Sequence, residues 1–524
     1  MPAEGVVNSA LLSTVLAIWR EVLECPDGWL DQDSNFFLNG GDSLQMTRVL
    51  VRIRERLGVN LELREVARFS TPRKMTQSCV AAAPSQWAVP LQTLPHPAAG
   101  KSVPEYFQAS AGQAGLWFAE QLSGSSGLYN TAAVLHLTGD LQVHVLARAL
   151  TVLLRRHEVL RSRFNFDVQA QQLVCTIDPV EEVTLVAVAV AAQVAPKLLR
   201  TLAAQPFDLV HGPLVRFQLL ATGYRTWSLL LCLHHCISDG WSGSVLLQHL
   251  AAAYTAVRQN PHRQEVGVDC SFRDFCRKQA SPLVTELDWW RTQLAGADQL
   301  ASWPVTGDRR WPFAMAHAEL QLPEHSLAHV QKAVQHTQID LSAFLLTALR
   351  LTLSTLSGID ELNIGLPVNV RTTSAQEQSI GYFVNLVVTR DRIAPEMDEL
   401  DALRQVQWSL VDTLCHRETP LPLLVRALNP ALLPSGNPWC DILFALQNLP
   451  QAHPDFAGLD VAVEAVTLPY GQHPLKVEII RSAGAWICRI DYAREVLTSM
   501  EVQKLLSLFQ EQIVRLAHNK CFNA

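Results

Sequence analysis

The sequence has few charged residues, no Cys-x-x-Cys pair and no apolar run of the kind that crosses a membrane. Charged residues make up 17% of the 524-residue chain and apolar residues 48%, a balance that favours packed cores over disorder. A formal net charge of −7 argues against the concentrated basic surface that binds polyanions. We therefore expect a soluble, folded protein whose partners do not include nucleic acid.

Neither the cysteines nor the N-terminus indicates export. The eleven cysteines are an odd number without a paired spacing, which favours reduced thiols in a cytosolic setting. The N-terminus lacks the charged start and apolar core of a signal peptide, and the most apolar helix candidate, Leu341–Leu356, contains Arg350. The expected location is the cytoplasm, without a membrane partner.

A small helical unit opens the chain. Apolar residues recur at helical spacing over Leu11–Leu23, a polar loop follows, and Leu44–Leu57 has the pattern of a second helix. A short third helix is expected over Leu61–Phe69, which Pro72 ends. Residues 1–80 are therefore predicted to form a small all-α bundle of a size that folds alone.

The loop before the second helix has two interpretations. On its own, Gly41-Asp42-Ser43 is typical of a helix N-cap preceded by flexible glycines. In context, however, the stretch FFLNGGDSLQMTRVL resembles the 4'-phosphopantetheine attachment site of peptidyl and acyl carrier proteins. The resemblance implies that Ser43, flanked by Asp42 and Leu44, carries this cofactor through a phosphodiester. A helix N-terminus suits a phosphate at that position.

A linker and a long mixed segment follow the helical unit. Residues 81–104 are rich in alanine and proline, a composition typical of a semi-rigid extended tether. Strands and helices then alternate over residues 105–524, which indicates two α/β lobes with a break near Arg277–Leu287. The expected elements include strands over Ala132–Leu137, Leu362–Val368 and Ile380–Arg390 and helices over Val145–Leu154 and Val502–Leu516.

One stretch, LLLCLHHCISDGWSG from Leu229 to Gly243, ends an apolar run in a polar turn. Such a run predicts a buried strand, and strand alternation would place His234 and His235 on opposite faces. Three interpretations remain open from the residues alone: satisfied core histidines, a metal site with Cys232, His234 and Cys236 as three ligands, or a catalytic histidine at a strand end.

The pattern HHxxxDG followed by Trp-Ser resembles the central motif of nonribosomal peptide synthetase condensation domains, relatives of chloramphenicol acetyltransferase. Other motifs of that family occur in the same order, at Ser110–Trp117, Arg156–Phe164, Phe272–Phe275, Ile380–Asn385, Pro420–Pro422 and Asn437–Phe444. The resemblance implies a V-shaped pair of chloramphenicol acetyltransferase-like lobes, over residues 105–278 and 279–524. The sequence departs from the family pattern in three motifs. Gly115 replaces the usual arginine of the first, Cys276 and Lys278 depart from the pattern of the fourth, and His416–Thr419 keep only part of the sixth.

The resemblance also implies roles for individual residues. His235 would hydrogen-bond the attacking nitrogen as a general base or a positioning acceptor, and His234 would support the turn. Asp239 would pair with Arg371, whose alternative interpretation is a solvated surface arginine. Gly240 would offer an oxyanion donor. The remaining supporting candidates are Arg161, Trp241 and Ser242.

The function implied is peptide-bond formation between a donor thioester on the chain's own carrier and an aminoacyl thioester on a downstream carrier. The implied partners are that downstream carrier, a phosphopantetheinyl transferase and adjacent adenylation domains.

Two alternatives remain: an epimerisation domain, which shares the motif, and a non-catalytic carrier-recruiting module of the same fold. Recruiting modules of this fold tend to lose the second histidine or the glycine, whereas His235 and Gly240 are both present here. A heterocyclisation domain would have aspartates in place of the histidines, so the sequence excludes it.

Overall fold

The structure is a computed structural model of the chain. The residues that it describes are 9–23, 25–26, 28–36, 39, 43–59, 61, 71–81, 105–123, 127–260, 267–279, 284–297, 303, 311–394, 396–433, 435–447, 454–482 and 485–518. Most of the predicted third helix at 61–69 and nearly all of the predicted tether at 81–104 lie outside these residues.

The N-terminal unit is helical, as predicted. Its described helices are α1 (Ser9–Leu23), α2 (Ser43–Leu57) and α3 (Pro72–Ala81). Trp19 of α1 is fully buried, packs edge-on against Phe36 and donates its indole N–H to the sulfur of Met75 at 3.1 Å. This one tryptophan therefore joins α1, the loop before α2 and α3 in a single small core.

The first lobe is built on a five-stranded sheet in the order β12-β2-β7-β6-β5. Its strands are β2 (Asn130–Gly139), β5 (Ala187–Ala189), β6 (Val215–Gly223), β7 (Thr226–His234) and β12 (Leu459–Ala465). The apolar run of β7 has neighbours on both edges and is buried from Ser228 to His234, as expected for a strand inside a lobe.

A second, three-stranded sheet and a set of helices complete the first lobe. The sheet has the order β1-β4-β3, with β1 (Glu105–Gln108), β3 (Ser162–Asp167) and β4 (Gln172–Ile177). The helices are α4 (Ala111–Ser123), α5 (Val143–Arg156), α6 (Ala195–Ala204), α7 (Gly240–Gln259) and α8 (Ser271–Lys278). Short 3-10 turns lie at Glu158–Arg161 and His235–Ile237.

The second lobe is built on a seven-stranded sheet in the order β10-β9-β11-β14-β15-β8-β13. Its strands are β8 (Phe313–Leu322), β9 (Glu361–Asn369), β10 (Val384–Arg392), β11 (Ile442–Gln447), β13 (Tyr470–Gly471), β14 (Leu475–Ser482) and β15 (Ala485–Ala493). The helices are α9 (Val284–Gln293), α10 (Glu324–Thr337), α11 (Leu341–Ser357), α12 (Ser374–Glu377), α13 (Glu399–Cys415), α14 (Leu421–Leu428) and α15 (Ser499–Ala517).

Two details differ from the prediction. Residues 459–465 fall in the range assigned to the second lobe, yet β12 pairs antiparallel with β2 and so completes the sheet of the first lobe. The strand predicted from Ile380 begins only at Val384, because Ile380–Phe383 form a loop that packs between the lobes. Both differences arise from contacts between the lobes, which a local pattern does not record.

Within the described residues, no single helix is long and apolar enough to cross a membrane. One bent pair, Ala328–Thr337 with Leu341–Ser357, passes the length and composition test, with a bend of 108° between its members. Phe344, Leu345 and Leu349 of that pair are buried in the second-lobe core, as expected for core helices.

Candidate active site

The polar turn after β7 is fixed by the elements on either side of it. The strand ends at His234, one 3-10 turn covers His235–Ile237, and Asp239 is the N-cap of α7. The Asp239 side chain accepts from the backbone N–H of Ser242 at 2.8 Å, as a capping aspartate does. The sequence therefore changes from strand to helix within six residues and presents its polar groups at that corner.

His235 is held in a defined tautomer. Its Nδ1 lies 2.6 Å from the carbonyl oxygen of Ser238, and since a carbonyl can only accept, Nδ1 carries the proton. The unprotonated Nε2 of the neutral ring has no hydrogen bond to any residue that the structure describes. Burial lowers the pKa of His235, and the Ser238 carbonyl and Asp239 only partly offset that effect. The ring is thus neutral at pH 7 with a lone pair available on Nε2.

His234 has the opposite arrangement. Its Nδ1 accepts from the backbone N–H of Cys236 at 3.1 Å, so its Nε2 carries the proton and lies 4.0 Å from a carboxylate oxygen of the buried Glu120. The rings of Tyr129 and Phe207 enclose it. His234 is 1% exposed and therefore supports the turn from inside the lobe.

Strand alternation does not account for the difference between the two histidines. The strand ends at His234, so its alternation does not extend to His235. The two side chains nevertheless differ as predicted, because His234 is fully buried and His235 is partly exposed. The start of the 3-10 turn, and not the pleat of β7, separates them.

Asp239 and Arg371 form a buried ion pair between the lobes. Arg371 Nη1 lies 2.8 Å from Asp239 Oδ2 and Nη2 lies 3.1 Å from Oδ1, the paired geometry that suits guanidinium and carboxylate. Burial alone would raise the pKa of Asp239, but the charge and hydrogen bonds of Arg371 and those of Ser242 hold it below its ordinary value. The alternative of a solvated Arg371 is wrong, since that side chain is 1% exposed.

Both partners of this pair are fully hydrogen-bonded. Asp239 also accepts from the backbone N–H of Phe383 at 2.9 Å, and Arg371 donates to the carbonyl of Gln376 at 2.9 Å. The guanidinium lies 4.2 Å from the centre of the Phe383 ring. These contacts give the pair the satisfied surroundings that a buried charge requires.

The three residues after Asp239 have different surroundings. Gly240 is exposed at the first position of α7. Trp241 is 5% exposed and donates its indole N–H to the carbonyl of Glu377 at 2.8 Å. The Ser242 hydroxyl contacts Asp239 at 2.7 Å and Gly381 at 2.9 Å. Trp241 and Ser242 therefore attach the histidine turn to the second lobe.

Arg161 lies elsewhere in the first lobe. Its guanidinium donates to the carbonyls of Leu154 and Asp178, and neither contact reaches the turn at residues 234–242. These bonds tie α5 to the segment after β4. These two bonds do not test the expected support of the site by Arg161, which stays a prediction.

The first motif holds the turn through Gln113, which the sequence did not single out. Gln113 is fully buried and its amide donates to the carbonyl of Cys236 at 2.8 Å, while its oxygen accepts from the backbone N–H of Ser110 at 3.0 Å. A polar side chain at the buried start of an amphipathic helix is the signal that could have identified it.

The fifth motif reaches the site through Tyr382, whose ring lies edge-on to His235 with centroids 5.1 Å apart. Two glycines allow this approach. A Cβ at Gly112 would lie 2.7 Å from the Tyr382 ring, and one at Gly381 would lie 2.2 Å from the ring of Phe272. The first, fourth and fifth motifs therefore pack directly against one another.

The unusual Gly115 is explained by the second lobe. A Cβ at this position would lie 2.7 Å from Cγ of Pro422, the second of the two prolines in the sixth motif. The Pro422 ring thus occupies the space next to Gly115 and brings α14 close to α4. A larger residue at position 115 would need α14 to move away.

A second histidine cluster lies in the first lobe. His157 Nδ1 is 3.0 Å from Asp269 Oδ2, and its Nε2 is 2.8 Å from Nδ1 of His249. His157 is fully buried. This cluster joins the second motif to α7 and to Asp269, two residues before α8, and it was not predicted.

The attachment site for phosphopantetheine fits the helix start. Asp42 lies outside the described residues, and α2 begins at Ser43 and has no acidic residue in its first turn. A phosphate on Ser43 would therefore lie at a helix start, where the first backbone N–H groups have no acceptor within the helix. The side chains of Ser43 and Leu44 are not among those the structure describes.

The metal interpretation of the turn gains no support. Among the described residues, no group of three or more His, Cys, Asp and Glu side chains is arranged to hold an ion. His234 Nδ1 is instead occupied by the Cys236 backbone, and the Cys236 thiol faces the carbonyl of Gln113.

Fold and site together define a class: a helical unit with a phosphopantetheine-type helix start, followed by a two-lobed α/β protein with a histidine turn where the lobes meet. Residues 105–520 match the family model described as "Condensation domain" and residues 13–79 match "Phosphopantetheine attachment site". The chain belongs to the condensation-domain family.

Known relatives are much longer proteins. The chain is 30% identical over 453 residues to one component of the linear gramicidin synthase of Brevibacillus parabrevis, a match that covers 83% of this chain and 6% of the relative. It is 30% identical over 538 residues to malpibaldin synthetase of Mortierella alpina, which covers 98% of this chain and 9% of the relative. The chain thus spans less than a tenth of the length of either relative.

Solved structures share the fold. The X-domain from teicoplanin biosynthesis superimposes with a TM-score of 0.68 at 21% identity and covers 80% of this chain and 97% of its own. A four-domain nonribosomal peptide synthetase bound to AMP and glycine gives a TM-score of 0.70 at 19% identity, over 80% of this chain and 34% of its own. The two-lobed α/β architecture predicted from the motifs is therefore confirmed.

Proposed function

We propose that this chain forms peptide bonds in nonribosomal peptide synthesis. The carrier unit holds a donor acyl or peptidyl thioester on phosphopantetheine at Ser43, and the condensation domain transfers it to the amine of an aminoacyl thioester on a downstream carrier. The observation that carries the proposal is His235: a neutral ring at the junction of two lobes, with Nε2 unoccupied, in the same chain as a phosphopantetheine attachment domain.

The reaction does not need a strong base. An α-amine has a pKa of about 7.7–8.0, so roughly a tenth is already neutral at pH 7. The amine attacks the thioester carbonyl, the zwitterionic intermediate loses one proton from nitrogen, and the thiolate leaves and takes up a proton. His235 Nε2 accepts a hydrogen bond from the attacking nitrogen and can take the proton that it loses.

Other residues organise the site. The Gly240 N–H, at the exposed start of α7, is our candidate donor to the oxyanion. Asp239 is committed to Arg371, Ser242 and Phe383, so we assign it a structural role rather than proton transfer. The cofactor supplies the flexible thiol that carries the acyl group from Ser43 to His235. Besides the downstream carrier, the proposal requires a phosphopantetheinyl transferase and an adenylation domain that loads the carriers.

The alternative with an observation in its favour is a recruiting module, because the X-domain fold is also known in a complex with OxyB. Retention of both His235 and Gly240 favours catalysis, since recruiting modules tend to lose one of them. Epimerisation is the remaining alternative, and its product, a racemised donor, distinguishes it from condensation.

Reconstitution tests the proposal in two steps. Incubation with coenzyme A and a phosphopantetheinyl transferase should add one arm to the wild-type chain and none to the Ser43→Ala variant, as measured by intact-protein mass spectrometry. A donor loaded on that arm and a separate aminoacyl carrier should then give an extended thioester on the acceptor.

The three possible negative outcomes of this reconstitution lead to different conclusions. An unchanged mass would contradict the assignment of Ser43. Racemised donor without transfer would indicate epimerisation, and a loaded chain that neither transfers nor racemises its donor would favour the recruiting module.

A further inference from the structure

We propose that Glu377 is the residue by which the condensation domain recognises its donor carrier, and that it selects carriers whose second helix has arginines at the positions of Arg48 and Arg52. The inference rests on the proposed function, because it names the partner surface of the same site. We call Ser374, Glu377 and Trp241 the docking face.

The helix that follows Ser43 contacts this face through complementary charges. Arg52 of α2 forms an ion pair with Glu377 and donates to the Ser374 hydroxyl at 2.6 Å. Arg48 Nε lies 3.5 Å from the other carboxylate oxygen of Glu377. Arg52 is 8% exposed and Glu377 is 5% exposed, so water screens the pair little.

A second contact, in which the carrier supplies the acid and the condensation domain the donors, fixes the register of α2 on the docking face. Glu55, one turn after Arg52, accepts from the backbone N–H of Ser374 at 2.6 Å and from its hydroxyl. Arg52 of α2 therefore faces the Glu377 carboxylate, and Glu55 faces the two hydrogen-bond donors of Ser374. A helix shifted by four residues would still place Arg48 or Arg56 near Glu377, but it would remove the Glu55 carboxylate from the Ser374 donors.

The carrier itself orients the recognising arginine. Glu21 of α1 accepts from Arg52 Nε at 2.8 Å and also pairs with Arg56. Arg52 is thus held in place inside the carrier while its two terminal nitrogens face the condensation domain. Preorganisation of this kind lowers the entropy that docking must overcome.

The inner side of the docking face belongs to the catalytic turn. The carbonyl of Glu377 accepts from the Trp241 indole at 2.8 Å, and the Arg48 guanidinium lies 5.1 Å from the centre of the Trp241 ring. Arg48 is five residues from Ser43, about 7.5 Å along the helix. The helix that begins at Ser43 therefore contacts Trp241, which lies six residues after His235.

A carrier without these arginines would bury Glu377 without a cation. Loss of one partner from such a pair weakens an interface by about 10²-fold or more. The tether keeps the two domains at a high effective concentration, which softens the effect on the rate. We therefore expect Glu377 to favour carriers that have these arginines, without making the arginines an absolute requirement for transfer.

A double-mutant cycle on the full chain tests the proposal. The variants are Arg52→Gln, Glu377→Gln and both together, with Arg54→Gln as a matched control on the exposed side of α2. The first readout is the hydrogen-exchange rate of the backbone over Ser374–Glu377, and the second is the single-turnover rate of transfer from Ser43.

We expect each single change to speed exchange and to slow transfer by about 10- to 100-fold. The double variant should lose clearly less than the product of the two single losses, because the second change removes a group that has already lost its direct partner. The Arg54→Gln variant should behave as the wild type.

The proposal is overturned if the two changes are additive, if neither moves exchange or transfer, or if exchange quickens while transfer stays the same. A wild-type chain that transfers nothing would defeat the proposed function instead. In that case the exchange rates alone decide whether Glu377 recognises the carrier.

Discussion

The two adjacent histidines have opposite proton positions, and single hydrogen bonds set both. A backbone N–H donates to Nδ1 of His234, whereas a backbone carbonyl accepts from Nδ1 of His235. Only His235 is left with an unprotonated nitrogen that the described residues do not occupy. The difference explains why the second histidine, and not the first, is suited to meet an amine.

The Asp239–Arg371 pair provides a stability test at the residue scale. Arg371→Ala should lower the free energy of unfolding by about 3–5 kcal/mol, because it leaves a carboxylate buried without its cation. Urea denaturation followed by fluorescence measures this loss.

The matched comparison removes both charges at once. Asp239→Asn combined with Arg371→Gln should cost clearly less than the sum of the two single changes, since neither residue is then a buried unpaired charge. A strictly additive result would show that the two side chains do not stabilise each other in solution.

Residue roles could be predicted only in part. The pairing of Asp239 with Arg371 was expected from the family motif and not from the chain itself, in which 132 residues separate them. Gln113 and Glu377 were missed because their importance arises from contacts across the fold, and a polar residue in an amphipathic helix is ordinarily a surface residue.

At the scale of elements, the motifs are segments that pack on one another at glycines. Gly381 of the fifth motif lies against Phe272 of the fourth, and Gly112 of the first lies against Tyr382 of the fifth. These contacts hold the Ile380–Phe383 loop between the lobes. They also explain why this loop is not the start of β10 as predicted.

Gly381→Ala should destabilise the protein by about 1–3 kcal/mol, because the added methyl would lie 2.2 Å from the Phe272 ring and force it to move. Thermal unfolding monitored by circular dichroism checks this. Gly243→Ala is the control, since a Cβ there meets nothing within 4 Å and the residue lies inside α7. That control should gain roughly 0.5–1 kcal/mol. Equal behaviour of the two variants would refute the packing argument.

Long periodic elements were predicted well. The helix expected over Val502–Leu516 spans Ser499–Ala517, where Thr498 and Glu501 form a capping box. The strand expected over Leu362–Val368 spans Glu361–Asn369. The placement of β12 in the first-lobe sheet could not be predicted, because alternation marks a strand but does not name its partner.

At the scale of the whole molecule, the two lobes are joined at several separate points. β12 crosses to pair with β2, Arg371 reaches Asp239, and the Tyr129 hydroxyl donates to Gln472 at 2.8 Å. The turn that contains His235 lies among these connections. Its geometry therefore depends on both lobes remaining together.

The pH dependence of stability follows from the buried histidines. Burial and the charge of Arg156 lower the pKa of His249 to about 4, below the ordinary value of 6.5. The folded state therefore binds fewer protons than the unfolded state between these values, and the free energy of unfolding should fall as the pH drops from about 6.5 to about 4.

His249→Gln should reduce that slope, and His473, whose pKa burial also lowers to about 4, should supply part of what remains. Urea denaturation at a series of pH values measures it, and carboxylates contribute mainly below this window because their ordinary pKa values are lower. A slope that is the same in the variant and the wild type would mean that His249 is protonated equally in both states.

The central claim is that His235 accepts a hydrogen bond or a proton from the attacking amine while Ser43 carries the donor thioester. Its most direct test is the single-turnover rate of transfer from a donor loaded on Ser43 to an aminoacyl acceptor carrier, in the wild type, in His235→Ala and in His211→Ala. His211 is a matched control, because its side chain is 80% exposed in the first lobe. We predict a loss of about 10²–10⁴ for His235→Ala if proton transfer dominates, a smaller loss if positioning dominates, and no loss for His211→Ala. Transfer at the wild-type rate by a folded His235→Ala protein would contradict the account.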